Sequence, residues 1–155
     1  MPKLQGQCYC GAVRFQIPTP LNLVGNCHCM SCQRAHGAPF ATNATLRTEQ
    51  LEILSGEQFI KTVKYIYRDN HERAPADSGR HFCSECGSRL FNNWPDAPLV
   101  SVWLSNIEDL PEITPMNVNV ATKRPWVFLA DDAEQYETFP FDLPARLKSI
   151  IDDVG

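Results

Sequence analysis

The sequence predicts a mainly β fold that ends in a short helix. Short apolar or alternating runs recur along the chain, and alternation of apolar and polar residues is typical of half-buried strands. Twelve prolines and eight glycines fall largely between these runs, which favours many turns and short elements over long helices. Near the C-terminus the apolar residues take up the spacing of an amphipathic helix.

The strands are predicted from these runs in chain order. Val13, Phe15 and Ile17 alternate with polar residues, which predicts a half-buried strand over 12–17 that ends at Pro18. Further strands are predicted over 21–24, 40–46, 51–54, 59–67, 80–82, 89–92, 99–104 and 118–120. The segments around the last cysteine pair, 80–82 and 89–92, are expected to flank a zinc-ribbon turn.

The remaining segments are predicted as helix, loop or turn. Residues 32–36 suit one helical turn, 69–79 a polar loop and 123–126 a turn. Asp142 is placed to cap the C-terminal helix, with Pro144 in its first turn. We expect the apolar stripe of this helix to dock on the core. The stripe consists of Leu143, Leu147, Ile150, Ile151 and Val154.

Length and composition limit the classes of protein to be considered. The 155 residues fit a single domain over 1–155, and 43% hydrophobic content supports an ordinary core. No apolar run approaches the roughly 18 residues of a membrane span, and Met1 to Gln7 lacks the apolar region of a signal peptide. The net charge of −4 argues against nucleic acid as a partner. We therefore expect a soluble cytoplasmic protein without nucleic-acid or membrane partners.

Seven cysteines fall into three tight clusters, at 8–10, 27–32 and 83–86. Thiolates two or three residues apart can hold one tetrahedral zinc ion, with each sulfur about 2.3 Å from the metal. Four thiolates close a structural zinc site. The three that remain would form an open site, and a vacant position is what a catalytic zinc requires.

A disulfide framework is the alternative interpretation, and it fits less well. Seven cysteines cannot all pair within one chain, and the ring closed by Cys-x-Cys is strained. Without a secretion signal, clustered cysteines are more often metal ligands than bridges. Gly11 and Gly87 each follow a cysteine directly and permit the tight turn of a metal-binding knuckle.

The order of these motifs resembles the glutathione-dependent formaldehyde-activating enzyme family, which is related to centromere protein V. The resemblance extends over about 6–140 and leaves 141–155 as a C-terminal helix and tail. It is carried by Cys8-x-Cys10-Gly11, by Cys27-His28-Cys29-x-x-Cys32 followed by Arg34 and Gly37-Ala38-Pro39-Phe40, by Phe82-Cys83-x-x-Cys86-Gly87-Ser88 and by Pro125-Trp126.

This resemblance implies a β-tent fold related to that of B-type methionine sulfoxide reductases. It also implies two zinc ions per chain. The structural zinc would be bound by Cys8, Cys10, Cys83 and Cys86, and the second zinc by Cys27, Cys29 and Cys32. Spacing alone leaves the partition open, because Cys8, Cys10, Cys27 and Cys29 could equally share one ion.

The function implied is that of a zinc-dependent carbon–sulfur lyase or synthase. Its substrate would be an adduct of glutathione, or another small thiol, with formaldehyde or a related aldehyde, and Cys27, Cys29 and Cys32 would hold the catalytic metal. The alternative is a non-catalytic zinc-binding or chaperone-like interaction module on the same scaffold. In that case the second zinc would be structural, closed by a histidine among His28, His36, His71 and His81.

Other residues carry weaker signals. Arg34 follows Cys32 by two positions and could hold a substrate carboxylate, or it could be a surface arginine. Lys123 and Arg124 could also meet a carboxylate. Asn117 stands where many family members, as aligned by these motifs, carry histidine. Packing in the core or at its rim is expected of Trp94, Trp103 and Trp126.

Overall fold

The computed structural model describes residues 2–64, 79–94 and 96–153. In this part of the chain there are ten strands and two α-helices. They are β1 (Lys3–Gln7), β2 (Arg14–Pro18), β3 (Val24–Cys27), α1 (Met30–His36), β4 (Ala41–Arg47), β5 (Glu52–Ser55), β6 (Ile60–Val63), β7 (Gly79–Cys83), β8 (Arg89–Asn93), β9 (Leu99–Trp103), β10 (Met116–Val118) and α2 (Leu143–Asp152). Short 3-10 turns lie at Thr48–Gln50, Glu57–Phe59, Leu104–Asn106 and Val120–Thr122.

The strands form two sheets. The smaller sheet has three antiparallel strands in the order β1-β2-β5. The larger has seven, in the order β10-β3-β4-β9-β8-β7-β6, and its pairs are antiparallel except for the parallel pair β10–β3. The predicted fold class, mainly β with a short C-terminal helix, is confirmed.

The main core lies between the two sheets. Phe15 and Ile17 of β2 are fully buried, as predicted from their alternation with polar residues. They belong to one apolar cluster with Leu90, Val100 and Val102 of the larger sheet. Each such burial contributes about 1.5–3 kcal/mol, so the contact between the sheets is the main apolar support of the fold.

Helix α2 docks on a second apolar cluster. Ile150 is buried, and Leu143, Leu147 and Ile151 pack with it against residues of the larger sheet and the loop before it: Leu23, Leu99, Met116 and Val118. The predicted docking of the apolar stripe is thus confirmed, while Val154 lies outside the described residues. Among the described residues, neither α1 nor α2 has the length and apolar content that a membrane-spanning helix requires.

Asp142 does not cap α2 through its side chain, so the predicted capping contact is wrong. Asp142 does occupy the N-cap position, but its side chain makes no capping hydrogen bond. Its Oδ2 instead accepts from Nε of Arg146 at 3.0 Å. A charged donor four residues along the helix competes with the backbone amides for the same carboxylate.

Several strand boundaries differ from the prediction. Strand β1 was not predicted, because Lys3–Gln7 has no apolar alternation and is held in place by pairing with β2. The segment predicted over 21–24 forms a strand only from Val24, which continues to Cys27. Of the strand predicted over 59–67, β6 covers 60–63, and residues 65–67 lie outside the described ranges, as does most of the predicted loop 69–79.

Candidate functional site

Four cysteine sulfurs meet at the edge of the main core. Cys8 and Cys10 follow β1, Cys83 ends β7, and Cys86 lies in the turn before β8. We call this group the four-cysteine cluster. Its sulfurs all lie within 4.8 Å of one another, with 3.5 Å between Cys8 and Cys10 and 3.9 Å between Cys10 and Cys83.

These distances fit a tetrahedral metal ion. Sulfurs that each lie about 2.3 Å from one zinc ion are separated by about 3.8 Å along the edges of the tetrahedron. The four-cysteine cluster can therefore hold a metal ion such as zinc. Because Cys8 and Cys83 are also fully buried members of the main core, such an ion would join the segment after β1 of the smaller sheet to the end of β7 in the larger one.

Two glycine turns shape this cluster. The Gly11 amide donates to the Cys8 carbonyl at 3.0 Å, and the Gly87 amide donates to the Cys83 carbonyl at 2.7 Å. Both glycines adopt left-handed backbone angles, with φ of +76° at Gly11 and +77° at Gly87. This conformation is strained for residues with a Cβ, which explains why glycine stands at both positions. The predicted knuckle turns are confirmed.

The other three cysteines form a second group. Cys27 ends β3, Cys29 is the N-cap residue of α1, and Cys32 lies in its first turns. Their sulfurs also lie within 4.8 Å of one another. We call them the cysteine triad. The structure thus groups the seven sulfurs in the partition implied by the family resemblance, and each group can hold a metal ion.

The triad explains where α1 begins. The Cys32 amide donates to Cys29 Sγ at 3.3 Å, so this sulfur takes the place of the hydroxyl or carboxylate oxygen of an ordinary cap. Helix α1 therefore starts at Met30, two residues before the predicted turn. The same contact holds the Cys29 sulfur toward Cys32.

The sulfurs of the triad strongly affect one another's ionisation. Hydrogen bonds from Cys27 and Cys32 lower the pKa of Cys29 to about 2, and Arg80 adds a smaller lowering. The contacts with Cys27 and Cys29 raise the pKa of Cys32, and the contact with Cys29 raises the pKa of Cys27, which the contact with Cys32 opposes. Three negative charges so close together repel one another, so ionisation of all three thiols requires a positive charge nearby.

Three residues outside the cysteine motifs contact the triad. Asn119 Nδ2 donates to Cys27 Sγ at 3.5 Å, and Arg80 Nη2 lies 4.0 Å from Cys32 Sγ. Trp103 is buried and packs with Cys32 in a small cluster. None of them was predicted as a site residue, because a single arginine, asparagine or tryptophan in a strand or loop carries no local sequence signal for such a position.

The histidines considered as a closing ligand have other contacts. His28 Nε2 lies 3.0 Å from Asn117 Oδ1, His36 packs edge-on against Trp103, and the His81 ring stacks on a phenylalanine. None of these three belongs to a potential metal-binding group in the described part of the chain. His71 lies outside the described residues.

The basic residues considered as substrate contacts lie in different settings. Arg34 is exposed on α1. Lys123 Nζ donates to the Val127 carbonyl at 2.6 Å, and Arg124 Nε donates to Gln33 Oε1 at 2.5 Å. Lys123 and Arg124 thus help to fix the predicted turn after 122. Within that turn Trp126 is 65% exposed, so the prediction that it packs in the core or at its rim is wrong.

Comparison with known proteins now identifies the family. The model of the family described as "Glutathione-dependent formaldehyde-activating enzyme" matches residues 3–123, which includes both cysteine groups. The chain belongs to this family. A relative from Halomonas elongata carries the same family name as a provisional assignment. It is 34% identical over 114 residues, which cover 70% of this chain and 68% of the relative.

A solved structure supports the fold of this family member. The crystal structure of a Rhodobacter sphaeroides protein matches with a TM-score of 0.55 at 22% identity, covering 70% of this chain and 91% of that one. At this level of identity the likeness concerns the fold alone. The family membership predicted from the motifs is confirmed.

Proposed function

We propose that this protein is a zinc-dependent carbon–sulfur lyase or synthase. It would join the thiol of glutathione, or of a similar small thiol, to formaldehyde or a related aldehyde, and catalyse the reverse cleavage. Membership of the glutathione-dependent formaldehyde-activating enzyme family supports the substrates. The cysteine triad supports the chemistry.

The triad is the observation that carries this proposal. Three sulfurs are grouped closely enough to bind one metal ion, and no histidine or carboxylate of the described residues completes the group. A zinc ion with three protein ligands keeps one position for an external ligand, and a thiol bound there loses its proton. The four-cysteine cluster, by contrast, supplies a complete set of ligands and is assigned a structural role.

The reaction needs only a positioned thiolate and an aldehyde. The thiolate sulfur gives an electron pair to the aldehyde carbon, a carbon–sulfur bond forms, and the C=O π pair moves to the oxygen. That oxygen takes a proton from water, which yields the hydroxymethyl thioether. In the reverse direction the hydroxyl loses its proton and the carbon–sulfur bond breaks.

Residues around the triad support such positioning. Cys27 ends β3 and Cys29 caps α1, so both lie at a strand-to-helix junction, and Trp103 packs beside Cys32. Asn119 donates to Cys27 Sγ and limits its rotation. These contacts would hold the three sulfurs in a fixed frame and exclude water from one side of the site.

The test combines metal analysis with exchange kinetics. Elemental mass spectrometry of protein purified without chelator should give about two zinc ions per chain, as four plus three thiolate ligands require. Exchange NMR with ¹³C-formaldehyde and glutathione should show faster formation and cleavage of the adduct than in buffer alone. Cys29→Ser should abolish the acceleration, whereas Ser31→Ala, in the same helix but outside the triad, should keep it.

Two outcomes would contradict the proposal. One is a zinc-loaded triad with no effect on the exchange rate. The other is an acceleration that survives Cys29→Ser. The first outcome would favour the non-catalytic zinc-binding module on the same scaffold, and the second would place the catalysis outside the triad.

A further inference from the structure

Trp103 carries a buried hydrogen-bond donor without an acceptor. The residue is only 4% exposed, and its indole Nε1 is enclosed but has no hydrogen-bond partner among the described residues. An indole nitrogen can only donate, so no alternative role satisfies it. Because native proteins pair nearly all buried donors and an unpaired one costs free energy, this nitrogen calls for an acceptor from outside the chain.

A second tryptophan near the same face of the larger sheet shows the ordinary arrangement. Trp94 Nε1 donates to Ser101 Oγ at 2.8 Å. Ser101 and Trp103 are two residues apart in β9, so their side chains lie on one face of the sheet. The fold thus provides an acceptor for the half-buried indole of Trp94 and none, in the part of the chain described, for the more deeply buried indole of Trp103.

The unpaired donor lies beside the cysteine triad. Trp103, Cys32 and Ala41 form one buried cluster, and Cys27 and Cys29 pack against it. The indole therefore belongs to the same small cluster as all three triad residues. Since none of the described sulfurs accepts from Nε1, this donor is available to a molecule bound at the triad.

A second polar atom of the same kind adjoins this indole. His36 packs edge-on against Trp103 with 4.3 Å between the ring centroids, and its Nε2 is also buried without a partner among the residues described. A neutral histidine nitrogen donates or accepts, depending on the tautomer. Two rings in contact thus carry two unsatisfied polar atoms next to the triad, which favours a polar ligand atom there over purely apolar packing.

We propose that Trp103 Nε1 donates a hydrogen bond to the aldehyde-derived oxygen of the substrate, which is the carbonyl oxygen that becomes the hydroxyl of the adduct. This role rests on the function proposed above. As the thiolate sulfur attacks the carbon, the C=O π pair moves to this oxygen, and a fixed donor stabilises the negative charge that develops there. Water supplies the proton that completes the hydroxyl, and Trp103 keeps its own proton.

The first experiment observes the indole directly. In the ¹⁵N-tryptophan-labelled, zinc-loaded full chain, the three Nε1–H resonances are assigned with Trp94→Phe, Trp103→Phe and Trp126→Phe. The hydroxymethyl adduct of glutathione should shift the Trp103 resonance downfield, whereas S-methylglutathione, which lacks the oxygen, should not. The Trp94 resonance is the internal control, because its N–H is already bonded to Ser101.

The second experiment measures affinity and rate in the variants. Trp103→Phe keeps an aromatic ring and removes only the donor. Wild type should bind the hydroxymethyl adduct about 3–10-fold more tightly than S-methylglutathione, and Trp103→Phe should bind the two equally. Removal of one donor to a developing oxyanion lowers kcat by about 10²-fold or more. We expect a loss of that order in the exchange rate, with little change in KM for glutathione.

Trp94→Phe is the matched control for these measurements. It makes the same substitution on the same sheet face, at a donor that already has a partner. We expect it to keep the preference for the hydroxymethyl adduct and the exchange rate, with thermal unfolding followed to confirm that both variants are folded.

The possible results separate this role of Trp103 from the proposed function. If wild type does not accelerate exchange but the adduct still shifts the Trp103 resonance, the proposed function fails and the oxygen-binding site stands. If exchange is accelerated and folded Trp103→Phe keeps the full rate and preference, the role of Trp103 is overturned and the function stands. Should Trp103→Phe not fold, the wild-type resonance decides: a Trp103 signal that responds equally to both ligands, or to neither, would overturn the role.

Discussion

Asn117 and His28 are joined side chain to side chain, with 3.0 Å between Asn117 Oδ1 and His28 Nε2. Asn117 Nδ2 donates to the Glu134 carbonyl, which fixes the orientation of the amide. Its Oδ1 must then accept, from His28 and also from Asn26 Nδ2 at 3.2 Å. A neutral His28 therefore carries its proton on Nε2. Because His28 lies between two triad cysteines, this contact ties the triad segment to β10.

Replacing Asn117 by leucine should destabilise the protein. Asn117 is buried, and its loss leaves the buried His28 and the half-buried Asn26 without their acceptor. An unsatisfied buried group costs about 1–3 kcal/mol, so we expect a loss of that size in the free energy of unfolding, measured by denaturant titration. Asn22→Leu, at an exposed position, is the control. Equal stability of the two variants would contradict the role given to the pair.

Replacing a knuckle glycine by alanine should destabilise the fold through backbone strain alone. A Cβ at Gly87 would meet nothing within 4 Å, yet φ there is +77°. Gly87→Ala should therefore lower the free energy of unfolding by about 1–2 kcal/mol without any clash. Gly25→Ala is the matched control, since its Cβ would make only ordinary contacts, the nearest at 3.6 Å, and φ there is not positive. A smaller loss at Gly87 than at Gly25 would count against this explanation.

The two cysteine groups should respond differently to loss of one sulfur. Cys83 is fully buried in the main core, and a structural zinc can contribute on the order of 10 kcal/mol to folding. We expect Cys83→Ser to unfold the domain, as judged by circular dichroism. Cys29→Ser should stay folded and lose one zinc per chain by elemental analysis. Unfolding of both variants to the same extent would show that the triad is also structural.

The pH dependence of stability should report on His36. Burial is the main cause that lowers the pKa of His36 to about 4, and the positive charges of Arg80 and Arg89 lower it by smaller amounts. A negative charge on Cys29 acts in the opposite direction. In the unfolded chain the pKa of a histidine is about 6.5. The contribution of neutral His36 is therefore complete above about pH 6.5 and is lost progressively as the pH falls toward 4.

His36→Gln tests this dependence. Zinc release in acid affects both proteins, so the informative quantity is the difference between the slopes of unfolding free energy against pH. Between about pH 6.5 and 4 the wild type should lose stability more steeply than His36→Gln. The His36 ring resonances should also titrate with a midpoint near 4. A midpoint above 6 would refute the burial argument.

Local features of the sequence predicted much of the fold. The alternation of Val13, Phe15 and Ile17 showed which face of β2 is buried, and the apolar stripe at 143–151 showed that α2 docks on the core. Such patterns are readable because side chains repeat every two residues in a strand and every 3.6 in a helix. Strand β1 lacks any such pattern, and its place depends on pairing with β2.

The sequence by itself determined the cysteine spacings, the glycines that turn the knuckles and the family to which the chain belongs. Only the tertiary structure decided which clusters meet: Cys10 and Cys83 are 73 positions apart, and their sulfurs are 3.9 Å apart. It also placed Arg80 beside Cys32, 48 positions away. Ligand spacing is local, whereas these contacts depend on strand order and register across a seven-stranded sheet, which no short segment encodes.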